Sequence, residues 1–127
     1  MENANIGFAK GRVRSLKFAF KGSYLLLKTE HSIITQSFLS LCFIAAGFYF
    51  GISKTEWLFQ ILGIGLVLTA ESLNTAVEKL CDFIHPDYHQ RIGFIKDISA
   101  GAITFAVFTA LAIICIIYSP YLYEKFI

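Results

Sequence analysis

Apolar positions along the chain fall into four blocks with different periods. In residues 6–30 they recur at Phe8, Val13, Leu16, Phe20, Tyr24 and Leu27, with basic residues filling much of the remainder. That spacing predicts an amphipathic helix lying on a membrane surface. It lacks the continuous apolar core and small-residue cleavage site of a signal peptide, so it is expected to stay in the mature chain. Three later blocks, about 32–53, 57–78 and 98–118, are each long enough to cross a bilayer, which takes roughly 20 apolar residues. The first and third hold no formally charged residue. The second begins at Trp57 and reaches full length only by running into the polar stretch ESLNTAVEKLCD at 71–82. The pattern predicts an all-α membrane protein, a single domain over 1–127 with one surface helix and three transmembrane helices.

Composition agrees, and charge supplies an orientation. The 127 residues are 56% hydrophobic and 16% charged, with a mean hydropathy of +0.63, more apolar than an ordinary soluble domain. The net charge is only +2, but Lys10, Arg12, Arg14, Lys17, Lys21 and Lys28 all precede the first span. Three crossings put the N-terminus and the second loop, about 79–97, on one side. The positive-inside bias makes that side cytoplasmic, and Lys79, Arg91 and Lys96 in the loop agree. Lys54 and Lys125 are a weaker count on the opposite side. Cys42, Cys81 and Cys115 lie far apart in apolar sequence and read as buried hydrophobes rather than disulfide partners or metal ligands.

The polar stretch carries the candidate chemistry. On a helix, Glu71, Asn74, Glu78 and Asp82 fall within a sector of about 80°, so one face of the second span is acidic. Counted from Trp57 as an outer anchor, Glu71 lies about 21 Å and Glu78 about 32 Å down the helix, against a hydrocarbon thickness of roughly 30 Å. An ionisable group in the lipid is by default a functional candidate. Packing alone, with Glu71 neutral or paired to a basic residue, does not call for three further polar groups on the same stripe. A carboxylate held partly in lipid is made more basic by desolvation and accepts a proton from a lipid hydroxyl. One at the aqueous edge holds a hard cation such as Mg²⁺ together with nucleotide phosphates. Phosphoryl transfer from a soluble nucleotide to a lipid alcohol uses both, with cationic help for the phosphates. Lys96 and Asp97 stand before the small-residue run SAGA, where Lys96 alone reads as a snorkelling lysine and Asp97 as a helix cap.

Taken together, the ExxNTAxExxxD pattern at 71–82, KD at 96–97 and the small residues after it resemble the prokaryotic diacylglycerol kinase family, which includes undecaprenol kinases. The resemblance extends to the basic surface helix, FKG at 20–22, Glu30 before the first span, and three crossings. It implies a small lipid kinase of a prokaryotic inner membrane, multi-pass and homotrimeric, with active sites shared between protomers on the cytoplasmic side and a part in phospholipid or cell-envelope lipid metabolism. Carried over by position, Glu71 is the family's general base, and Glu30 and Glu78 are its metal-binding carboxylates for Mg²⁺. Asn74, Lys96 and Asp97 surround the ATP co-substrate, Asp87, Tyr88 and His89 form the loop that touches it, and Phe18 lies where the surface helix approaches it. Asp82 matches the motif without an assigned role. The chain departs from the family at Gln36, where some relatives carry an acid, and at Gly11, where an arginine is usual and only Arg12 or Arg14 is nearby. It also lacks a Pro-Leu-Ala that many undecaprenol-phosphorylating relatives carry.

Other signals are weaker. No G-x-x-x-x-G-K-[ST] stretch is present, so a P-loop does not bind the nucleotide. His85 and His89 have zinc-ligand spacing, but Pro86 breaks the helix face that a zinc pair would need. Gly47 and Gly51 form a GxxxG, read as ordinary helix packing. A proton-coupled transporter or channel subunit is the rival class. It accounts for Glu71 but leaves Glu78, Asp82 and Lys96-Asp97 at the aqueous edge without a purpose, and a transporter's key carboxylate belongs near the midplane.

Overall fold

The computed structural model describes residues 4–127, with side chains from residue 7 onward. Four helices follow one another, α1 (Ala4–Thr29), α2 (His31–Phe50), α3 (Lys54–Ile84) and α4 (Gln90–Phe126), and no strand occurs among the described residues. The last three are long and apolar enough to cross a membrane. This is the all-α membrane architecture expected from the apolar blocks. Glu30 alone separates α1 from α2, its extended backbone (φ −99°, ψ 113°) turning the chain between them. The apolar side chains of α1, Phe8, Val13, Leu16, Phe20, Tyr24 and Leu27, are all exposed. They have no partner in the chain's own core, as suits a helix that meets lipid.

Helix boundaries differ from expectation in the second and third spans. α3 starts at Lys54, because Ser53 caps it: the Glu56 backbone N–H donates to Ser53 Oγ at 3.2 Å while the Ser53 N–H donates to Glu56 Oε1 at 2.9 Å. This reciprocal pair satisfies two donors that a helix start would leave open. α4 starts eight residues earlier than expected, so the predicted loop shrinks to the turn at 85–89. His89, not Asp97, is the N-cap of α4, its Nδ1 accepting from the Arg91 N–H at 3.1 Å. Lys96 and Asp97 consequently lie on the helix. At 31 and 37 residues, α3 and α4 are about 46 and 55 Å long, well beyond a roughly 30 Å hydrocarbon layer.

α3 and α4 form the principal helix pair. The core sits at the end of the molecule marked by the α2–α3 turn, where Ile52, Ile117 and Tyr118 are buried among Phe43, Phe50, Trp57 and Tyr121. A polar pin runs through it. Gln60, only 1% exposed, donates from Nε2 to the Phe43 carbonyl at 3.1 Å and accepts from Tyr118 Oη at 2.5 Å; Tyr118 Oη also lies 3.1 Å from that carbonyl. One cluster thus ties α2, α3 and α4 together. At the same end Tyr121 Oη donates to Glu56 Oε1 at 2.6 Å, and the Lys125 ammonium sits 4.0 Å from the centre of the Tyr49 ring.

The two glycines of the GxxxG do different things. Gly47 is buried under Trp57, and a Cβ there would lie 2.6 Å from Trp57 Cη2. Gly51 is the C-cap of α2 in the left-handed region (φ 63°), a conformation only glycine adopts without strain. The spacing therefore serves one close approach and one helix stop rather than a single packing face. Cysteine placement also differs from expectation, since only Cys81 is buried; Cys42 and Cys115 are exposed on their spans. All three are free thiols.

Candidate active site

The polar stripe lies on uninterrupted helix, its members graded in exposure. Glu71 is half-buried, Asn74 is 8% exposed, and Glu78 and Asp82 are exposed. Glu71 precedes Glu78 by two turns, about 10.5 Å, on the side of the apolar stretch. Asn74 Nδ2 donates to Glu78 Oε1 at 3.2 Å, which fixes one carboxylate oxygen. Asn74 Oδ1 is the buried side-chain atom that finds no hydrogen-bond partner among the described residues. An orphaned buried acceptor is costly unless a ligand completes it.

Glu30 reaches the same part of α3 from the α1–α2 junction. Its Oε1 lies 3.1 Å from Lys79 Nζ, and Lys79 directly follows Glu78. Further along, Lys96 Nζ donates to Asp82 Oδ1 at 2.6 Å, linking α3 to α4. Asp82 thereby acquires a part that the motif left open: it holds the Lys96 ammonium, which has two further hydrogens to offer. The turn between the helices is shaped by its histidines. His85 Nδ1 meets the Asp87 carbonyl at 2.7 Å, and His89 caps α4.

Tyr88 and Asp97, far apart in the turn and helix, line one open cleft of about 670 Å³ with Gln90, Arg91, Gly93 and Phe94. The Tyr88 ring lies against Gly93, where a Cβ would be 3.5 Å from Cε2. The fold therefore joins Asn74 with Glu78, Glu30 with Lys79 and Asp82 with Lys96, and lines one cleft with Tyr88 and Asp97. All stand at the end of the helix pair away from the apolar core. Phe18 is not brought to them: it is 64% exposed on α1, whose main packing is with α2. Glu71 makes no hydrogen bond or ion pair among the described residues. Lys79 and Arg91 carried only an orientation signal in the sequence. Their local places depend on a junction and a turn that pattern alone does not locate.

The donor chemistry fits Mg²⁺. Glu30 and Glu78 offer hard carboxylate oxygens, and Mg²⁺ usually takes one or two protein carboxylates together with substrate phosphates. No group of three or more His, Cys, Asp or Glu side chains suited to hold a metal occurs among the described residues. Phosphates would supply what the protein leaves open.

The chain is similar to known proteins over most of its length. The chain is 31% identical to a diacylglycerol kinase of Haemophilus influenzae over 111 residues, 87% of this chain and 91% of the relative. It is 31% identical to an undecaprenol kinase of Bacillus subtilis over 99 residues, covering 77% and 80%. A diacylglycerol kinase of Escherichia coli strain K12 is 24% identical over 117 residues, covering 92% and 95%. A family model described as prokaryotic diacylglycerol kinase matches residues 17–118, which takes in every element from the middle of α1 to the polar pin. With its three apolar spans and the acidic stripe at 71–82 inside that match, the chain belongs to the prokaryotic diacylglycerol kinase family.

Proposed function

We propose that the protein transfers the γ-phosphate of ATP to the hydroxyl of a membrane lipid alcohol, diacylglycerol or undecaprenol, giving phosphatidic acid or undecaprenyl phosphate. The observation that carries this reading is the gathering of the oxygen donors and the Asp82-held lysine at one end of α3 and α4, with Glu71 set two turns back toward the lipid. Both relatives at 31% identity are lipid kinases by name.

In this reading Glu71 takes the proton of the lipid hydroxyl as its oxygen attacks the γ-phosphorus. The new bond joins that oxygen to phosphorus, the bond to the β–γ bridging oxygen breaks, and ADP leaves with the electron pair. Glu30 and Glu78 bind Mg²⁺, which when present shields the phosphate charges and orients them. Asn74 holds the Glu78 carboxylate in place. Lys96, steadied by Asp82, offsets charge on the transferred group. Asp87, Tyr88, His89 and Asp97 contact the nucleotide, and Phe18 approaches it from α1. Because Phe18 stands apart within one chain, a homotrimer in which neighbouring protomers complete each site accounts for its contribution. The site faces the cytoplasm of a prokaryotic inner membrane, where ATP is available.

Purified protein in mixed micelles with γ-labelled ATP, Mg²⁺ and either lipid provides the test. Label in one lipid extract identifies the substrate. Absence of label in both, in micelles that support a known lipid kinase, removes the reading in favour of proton-coupled transport.

A further inference from the structure

We propose that Arg91 is a second phosphate-binding cation of the nucleotide site, acting from the first turn of α4. This rests on the ATP reading above and adds a residue to it. Among the cytoplasmic-end cations of α3 and α4, Lys79 is paired with Glu30 at 3.1 Å and Lys96 with Asp82 at 2.6 Å. Arg91 has no carboxylate partner among the described residues. It lines the cleft that also holds Tyr88 and Asp97.

Its position is unfavourable for folding alone. The N-terminus of a helix carries partial positive charge, so acidic residues are stabilising there and basic ones are not. The first turn of α4 contains no acidic residue, and Arg91 stands in it two places after the cap. His89 fixes that place by accepting from the Arg91 N–H. The guanidinium and the helix end thus direct positive potential into the same open cleft, which an incoming anion would relieve. Five N–H donors in a planar fork match two phosphate oxygens at once, which a lysine does not reproduce.

The other walls of the cleft give the anion a direction. Tyr88 is 88% exposed and Phe94 65% exposed, so both offer ring faces to a base. The Asp97 carboxylate repels phosphate and accepts from hydroxyl or amino hydrogens. A nucleotide lying with its base toward Tyr88 and its phosphates toward Arg91 satisfies all of these groups. The same guanidinium chemistry would suit the headgroup of an anionic phospholipid, so the test separates the two sources.

Equilibrium binding of radiolabelled ATP with Mg²⁺ is measured on full-length protein in neutral detergent micelles for wild type, Arg91→Gln and Arg91→Lys. The expected result is a loss of affinity of about tenfold for Arg91→Gln, a smaller loss for Arg91→Lys, and unchanged binding of adenosine, the scale of one lost bidentate pair. Equal ATP affinity in all three proteins overturns the proposal. So does a loss that appears only when anionic phospholipid is added, because the cation then serves the headgroup. Wild type that binds ATP yet phosphorylates neither lipid removes the kinase reading while the variants still decide Arg91. Wild type that binds no ATP overturns both.

Discussion

Glu71 and Glu78 sit on one helix face in different surroundings, half-buried and exposed, and the proposed function gives them different work. Glu71→Gln is expected to lower phosphoryl transfer by about 10²–10⁴-fold, the usual range for a lost general base, while ATP binding persists. Glu78→Gln is expected to weaken Mg·ATP binding itself, because it removes a donor oxygen and frees Asn74. Titrating ATP binding alongside turnover for both variants checks the division, and equal mild losses would contradict it. A second pair of residues tests packing. Gly47→Ala would place a methyl 2.6 Å from a Trp57 ring atom, and that ring is already held by Phe48 at 4.9 Å between centroids. The expected destabilisation is about 1–3 kcal/mol. Gly63→Ala meets nothing closer than 3.5 Å and should be tolerated. Thermal unfolding in micelles distinguishes them, with Trp57, the single tryptophan, as a fluorescent reporter of the first.

Among the elements, the polar pin and the capping box decide where the spans meet and begin. Tyr118→Phe removes a donor from Gln60, a side chain 1% exposed, and is expected to cost about 1 kcal/mol. Replacing Gln60 by Leu as well should recover part of that loss, since an apolar pair leaves no orphan; unfolding of the single and double variants measures it. Ser53→Ala is expected to cost about 1 kcal/mol through the α3 start. Much of this scale was legible in the pattern: the long apolar blocks announced three spans, and the 71–82 spacing announced one acidic face. The starts of α3 and α4 were not, because Ser53 and His89 cap through side-chain geometry that apolar periodicity does not register. Nor did the sequence show that Lys96 belongs to Asp82, fourteen residues away, since a short turn at 85–89 and an earlier helix start bring them level. Gln60 lay unremarked in an apolar run because its partners, a backbone carbonyl and a tyrosine, are contributed by the other two spans.

For the whole molecule, the asymmetry of charge about the bilayer predicts topology. In a cysteine-free background, Lys54→Cys should react with an impermeant thiol reagent on intact cells, and Asp87→Cys only after permeabilisation. The reverse pattern would invert the molecule and move the site away from cytoplasmic ATP. The same polarity appears in how the helices are held. Aromatic packing and the Gln60–Tyr118–Phe43 pin join the spans at one end, while exposed ion pairs, worth little in water, bridge the other. The two ends consequently answer to different solvents: added salt screens the ion pairs that bridge the site end and leaves the dry aromatic joint untouched.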